Sequence, residues 1–148
     1  MKKYEFTGET KNNYGVTLKQ IRALVTIIGV VSSGDVGGWV ESEKCLDHGG
    51  NAWVYGNAQV CGDALVESLE SICSFSGFGS EYRTTTAFVD KELGIRIVCG
   101  CFTGTIDQFR SKVIETHGSG SKNGSLYLYM ANMIEKRLVV SEQIKEAA

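Results

Sequence analysis

Three arginines, Arg22, Arg83 and Arg96, stand in strand-like stretches on either side of an acidic middle segment. An arginine fork holds a phosphate or carboxylate through two parallel hydrogen bonds. A nucleotide asks for such forks, for an aromatic clamp on the base and for hydroxyls or amides on the ribose. Phe75 and Phe78, in the run Ser74-Phe-Ser-Gly-Phe-Gly-Ser80, offer the clamp in a loop whose glycines let a ligand approach the backbone. The same rings equally well lie down on the core. Thr84, Thr85 and Thr86 are consecutive hydroxyls beside Arg83. The competing reading is that threonine is a good strand former and the arginines are solvated. The residue types alone leave both readings open.

Catalytic constellations are hard to assemble. His48 and His117 lie far apart, and neither has a serine, cysteine or aspartate partner at a recognisable spacing. His117 closes a helical pattern, where its charge favours the dipole. His48 adjoins Gly49-Gly50, where a loop can expose it. The five cysteines, Cys45, Cys61, Cys73, Cys99 and Cys101, contain no C-x-x-C pair. Cys99 and Cys101 flank Gly100 on one face of a strand-like run, yet no second ligand pair stands at zinc spacing. Buried thiols of a reducing compartment are expected, with no metal and no cofactor.

These residues are carried by 148 residues, 43% hydrophobic and 22% charged, with 18 glycines and no proline. That composition excludes disorder as the main state and fits one compact domain. The net charge of −2 argues against duplex nucleic acid or an anionic membrane as partner. No apolar run reaches the ~20 residues of a bilayer span, and the start lacks a secretory h-region. A cytoplasmic protein is expected. Between residues 35 and 70, Lys44 alone faces Asp35, Glu41, Glu43, Asp47, Asp63, Glu67 and Glu70. An anion site belongs on the flanks of that segment.

Repetition is the strongest signal. Asn51-Ala-Trp-Val-Tyr-Gly, Asn57-Ala-Gln-Val-Cys-Gly and Asp63-Ala-Leu-Val-Glu-Ser align at a period of six, with Val54, Val60 and Val66 in register. Val40, Leu46 and Ile72 continue the period if Gly49-Gly50 is an insertion. A helix does not repeat every six residues with glycine at the corners, whereas a β-solenoid does. The spacing therefore predicts a mainly β fold: a short, parallel β-helix-like core of about two coils over residues 36–72, whose left-handedness is implied by its resemblance to hexapeptide-repeat proteins. Trp39 and Trp53, next to inward aliphatics, are expected to point outward.

The flanks act as caps. Residues 1–35 read as capping strands at Tyr4-Glu-Phe6, Val16 to Leu24 and Val25 to Val31. Residues 73–148 read as a β-hairpin followed by two C-terminal α-helices. The hairpin pairs Tyr82–Val89 with Ile95–Phe102, placing Arg96 opposite Ile95, Ile97, Cys99 and Cys101. Thr105-Ile-Asp-Gln108 is a capping box that opens a helix at about 105–117 with Ile106, Phe109, Val113 and Ile114 inward. A second helix at about 125–140 follows the connector 118–125, burying Leu126, Tyr129, Met130, Met133, Ile134 and Leu138. Open solenoid edges and that broad stripe predict a homo-oligomer.

The motifs Phe6-Thr-Gly-Glu-Thr10, Leu18-Lys-Gln-Ile-Arg-Ala-Leu24 and Gly34-Asp-Val-Gly-Gly-Trp-Val-Glu41, with the Asn-Ala-x-Val-x-Gly hexads, resemble a family of small phage and prophage hexapeptide-repeat proteins. Cys99-Gly-Cys-Phe-Thr-Gly-Thr105 and Thr116-His-Gly118 resemble the tail of the same group, while Glu81-Tyr82-Arg83 departs from it. The layout is also similar to phage anti-defence sponges that sequester cyclic nucleotide signals, including cyclic ADP-ribose isomers. That resemblance implies a non-enzymatic accessory protein of the host cytoplasm. Its ligand would be a small cyclic nucleotide or cyclic ADP-ribose-type molecule, held by Arg22, Phe75, Phe78, Arg83, Thr84, Thr86 and Arg96. Two alternatives remain: a solenoid module binding a host or phage protein, and a hexapeptide-repeat acyltransferase with a histidine general base.

Overall fold

The computed structural model describes residues 1–140, so the last eight residues of the expected C-terminal unit lie outside it. Alternating inward and outward side chains build eight strands: β1 (Tyr4–Asn13), β2 (Val16–Ala23), β3 (Val36–Val40), β4 (Gln59–Val60), β5 (Ile72–Phe78), β6 (Arg83–Asp90), β7 (Gly94–Cys99) and β8 (Phe102–Gly104). They form two four-stranded sheets, ordered β1-β2-β3-β4 and β5-β6-β7-β8. Every neighbouring pair is antiparallel except β3 and β4. Helices α1 (Ile106–His117) and α2 (Lys122–Arg137) complete the chain. No helix among the described residues is long and apolar enough to cross a membrane.

This architecture corrects the expected parallel β-helix. The hexads do turn their aliphatic residues inward: Val54, Val60 and Val66 are buried, as are Ala52, Ala58 and Ala64. Their parallel pairing is limited to β3 with the two-residue β4 and an isolated Leu46–Val66 bridge. Other backbone groups of the segment bond partly within it, as the Gly38 N–H does to the Val54 carbonyl, and partly sideways. The Gln59 N–H donates to Thr86 Oγ1, the Leu65 N–H to the Val89 carbonyl, and the Lys91 N–H to the Asp63 carbonyl. Buried backbone groups must find partners, and here β6 supplies them. The segment is therefore stitched between two sheets, and the few bonds joining residues 38–47 to residues 54–66 do not extend into a parallel β-helix.

Other differences follow from packing. Trp53 points inward and is buried, because Gly37, whose missing Cβ would stand 2.7 Å from the Trp53 ring, opens space for it. Trp39 is half-buried under the Lys11 ammonium, 4.4 Å from the ring centroid. The apolar run Val25–Val31 forms no strand; it folds into a turn closed by the Ile27–Val31 bridge and leaves Ile28 exposed. Of the expected loop 74–80, residues 74–78 belong to β5.

The expected capping box is present. Thr105 Oγ1 accepts from the Gln108 N–H at 3.1 Å, and Gln108 Oε1 accepts from the Thr105 N–H at 2.9 Å. Ile106, Phe109 and Val113 are buried as expected, whereas Ile114 is exposed. Helix α2 begins earlier than its spacing suggested, with Ser121 as N-cap, and its face is rotated. Tyr127, Met130, Ala131, Ile134 and Leu138 are inside, while Tyr129 and Met133 face out.

Two hydrophobic clusters result. One gathers Tyr4, Ile21, Val40, Trp53, Val60, Phe88 and Val98; the other gathers Ala87, Ile97, Phe109, Tyr127, Met130 and Ile134. Strands β6 and β7 serve both, because successive side chains point to opposite faces. Phe88 and Val98 look one way, Ala87 and Ile97 the other.

Candidate functional site

A cleft of about 170 Å³ opens where the β7–β8 turn meets α1. Its floor is apolar: Phe109, Val113 and Tyr127 are nearly inaccessible, with Phe102 beside them. Phe109 packs edge to face on Tyr127 at 5.7 Å, and Phe102 packs on Phe109 at a tilt at 5.6 Å between centroids. Around this floor stand Arg83 from β6, and Lys112, Thr116 and His117 from α1. Residues 112, 113, 116 and 117 lie on adjacent turns of one helix, so a single element presents both floor and rim. Cys99 and Cys101 complete the lining, and no acidic side chain belongs to it.

Arg83 reaches the cleft across Gly100. A Cβ at Gly100 would stand 2.5 Å from Arg83 Nη1, and Gly100 has a φ of +58°. The turn between β7 and β8 thus needs glycine for its conformation and for the passage of the guanidinium. Arg83 Nη2 also donates to Glu81 Oε2 at 3.2 Å, a solvent-exposed pair that leaves its other donors available.

Beneath the rim runs a directed chain of hydrogen bonds. Thr85 Oγ1 donates to Cys99 Sγ at 3.2 Å, Cys99 Sγ to Tyr127 Oη at 3.9 Å, and Tyr127 Oη to the Phe78 carbonyl at 3.3 Å. Burial, followed by the neighbouring Cys99, pushes the Tyr127 phenol up to about 12 despite Arg83. The phenol therefore stays protonated at neutral pH and acts as a donor. Cys99 spends its own proton in this chain, whereas Cys101 is exposed at the turn.

Of the sequence candidates, the structure brings Arg83 alone to this cleft. Arg22 lies on β2 and pairs with Glu5 at 3.5 Å. Arg96, expected on an exposed face, donates instead to the buried carboxylate of Asp90 at 2.8 Å. Phe75 and Phe78 pack against the helix-side cluster, 6.4 Å apart. Thr84 shares a hydrogen bond with Ser76, and Thr86 is buried as the acceptor for Gln59. His48 is structural in its contacts: Nδ1 accepts from the Lys3 N–H at 3.0 Å and the ring stacks on Tyr4 at 4.1 Å. Sequence reasoning passed over Lys112, met Thr116 only within a motif of the family resemblance, and favoured a helix end over a catalytic role for His117. The signal was present, since 109, 112, 113, 116 and 117 recur at helical spacing behind a capping box. No group of His, Cys, Asp and Glu side chains able to hold a metal ion forms among the described residues.

No family model and no solved structure matches the chain. It is similar to the uncharacterized acetyltransferase YdcK of Escherichia coli (strain K12), 34% identical over 90 residues, which are 60% of this chain and 26% of that protein. The chain thus spans about a quarter of the length of the curated relative it matches. Together with the two open sheets, this likeness corrects the expected membership in a phage hexapeptide-repeat family and, with it, the expected sponge resemblance.

Proposed function

We propose that the cleft between the β7–β8 turn and α1 recognises a small anionic ligand through a phosphate or carboxylate. The observation that supports this is the convergence of Arg83, Lys112, Thr116 and His117 on an apolar floor without a carboxylate in the lining. Two charge-assisted contacts at ~1.5–3 kcal/mol each correspond to about millimolar affinity for a bare anion. A volume near 170 Å³ takes one such group and a few attached atoms, not a whole cyclic dinucleotide. Tighter binding needs contacts outside the cleft.

Two fates for the ligand are open to test. The likeness to YdcK favours acyl transfer over simple sequestration. In acyl transfer an acceptor nucleophile attacks a thioester carbonyl, loses its proton to a base and releases the thiol. His117 is the one imidazole in the cleft and is the group we assign to that proton. Calorimetry with orthophosphate and acetate, wild type against Arg83→Gln, tests recognition. Binding that the substitution abolishes supports the site; binding unaffected by it refutes the site. Mass spectrometry of recovered ligand and thioester then separates retention from transfer.

A further inference from the structure

A second cleft lies directly beside the first and shares Cys101 and Phe102 with it. It holds about 80 Å³ between the β1–β2 hairpin tip and the β7–β8 turn. Its character differs. Val16, Leu18 and Val98 make it apolar, and Tyr14, Asn13 and Gln59 belong to its lining. Asn13 Nδ2 donates to Gln59 Oε1 at 2.9 Å. Among the described residues this leaves the Asn13 carbonyl oxygen as an acceptor and the Gln59 amide hydrogens as donors. An adjacent acceptor and donor is the pattern that reads the edge of a nitrogen heterocycle. Tyr14 is 67% exposed and offers a ring face to stack on. Arg83, which lines the first cleft, rests on Gly100, which lines the second.

We infer that the two clefts form one two-lobed site for a nucleoside monophosphate-type ligand: phosphate at Arg83, Lys112 and His117, heterocycle at Tyr14, Asn13 and Gln59. The inference rests on the anion reading of the first cleft and adds to it the class of the attached group. It also explains why a 170 Å³ cleft alone is too small for a useful affinity. A stacked base contributes ~1–3 kcal/mol, about fivefold to 150-fold.

Calorimetry against orthophosphate, the four common ribonucleosides and their 5′-monophosphates separates the two lobes. At least one monophosphate is expected to bind tenfold or more tighter than orthophosphate. Tyr14→Asn removes the ring and keeps a residue that tolerates the φ of +50° at this position. Gln59→Met removes the amide at similar volume. Each is expected to erase most of the monophosphate advantage and leave orthophosphate binding unchanged, with thermal unfolding near wild type confirming the fold. If orthophosphate binds and no monophosphate binds tighter, the two-lobed site is overturned and the anion cleft stands. A monophosphate advantage that survives both substitutions overturns it equally. If neither orthophosphate nor any monophosphate binds, the anion reading falls, and this inference with it.

Discussion

Arg96 Nε donates to Asp90 Oδ2 at 2.8 Å across the β6–β7 hairpin, and the carboxylate it meets has no solvent exposure. Asp90 also accepts from the Glu92 and Leu93 N–H groups, each at 2.9 Å, so the turn is folded around one charge. Arg96 continues to Thr103 Oγ1 at 3.2 Å and lies against Gly62, where a Cβ would stand 3.1 Å from its guanidinium carbon. The arginine thus links the second sheet to the hexad segment.

Removing that arginine strands a buried carboxylate. Arg96→Ala is expected to lower stability by about 3–5 kcal/mol, read by urea denaturation. Orthophosphate affinity of the folded variant should stay at the wild-type value. A drop in affinity without loss of stability would assign Arg96 to the ligand instead.

Gly100→Ala separates geometry from charge. The added methyl collides with Arg83 Nη1 and strains a left-handed residue. Loss of orthophosphate binding by about tenfold, ~1.4 kcal/mol, is expected with Arg83 still in the sequence. Unchanged titration curves would show that the guanidinium does not need this seat.

Much of this arrangement was legible from residues alone, and some was not. The capping box of α1 and the inward valines at 54, 60 and 66 were readable because each depends on neighbours within six residues. The path of the hexads was not. Whether Gln59 and Leu65 pair with another coil or with β6 depends on strands more than twenty residues away, and the period is the same in either case. The role of Arg96 was hidden for a like reason, since its partner Asp90 looked like an ordinary turn residue. Arg83 emerged as a candidate from its type, while Lys112 needed the helix placed first.

The thiols divide by reactivity and by pH. Burial pushes both Cys61 and Cys73 up to about 11 from an ordinary 9, with Arg96 and Arg137 respectively opposing it. At pH 8 an alkylating reagent should therefore modify exposed Cys101 first, as peptide mapping by mass spectrometry will show. A folded pKa above the unfolded one gives stability that is complete below pH 9 and is lost as pH climbs towards 11. Each thiol contributes on the order of 1 kcal/mol to that loss after solvent screening. Denaturation curves at pH 8 and pH 10.5 should differ accordingly, and by less in a Cys61→Ala/Cys73→Ala variant.

Phe88, fully buried on β6, faces the cluster built by the hexads. Phe88→Ala should cost about 3–5 kcal/mol. Hydrogen exchange will locate the damage: slowed-exchange amides in β2 and β3 should weaken along with those of β5 to β7.

The double-sided strands β6 and β7 bear on how such a chain can change over time. Ala87 and Ile97 close one cluster while Phe88 and Val98, their immediate neighbours, close the other. Neither half carries a complete wall of its own. A crossover at the boundary near Ile72 would join a hexad segment to a foreign β6 whose outer face had been shaped for different valines. The two halves are therefore not exchangeable cassettes, and lineages of this protein should diversify by substitutions on its rims and hairpin tips, with the wall inherited whole.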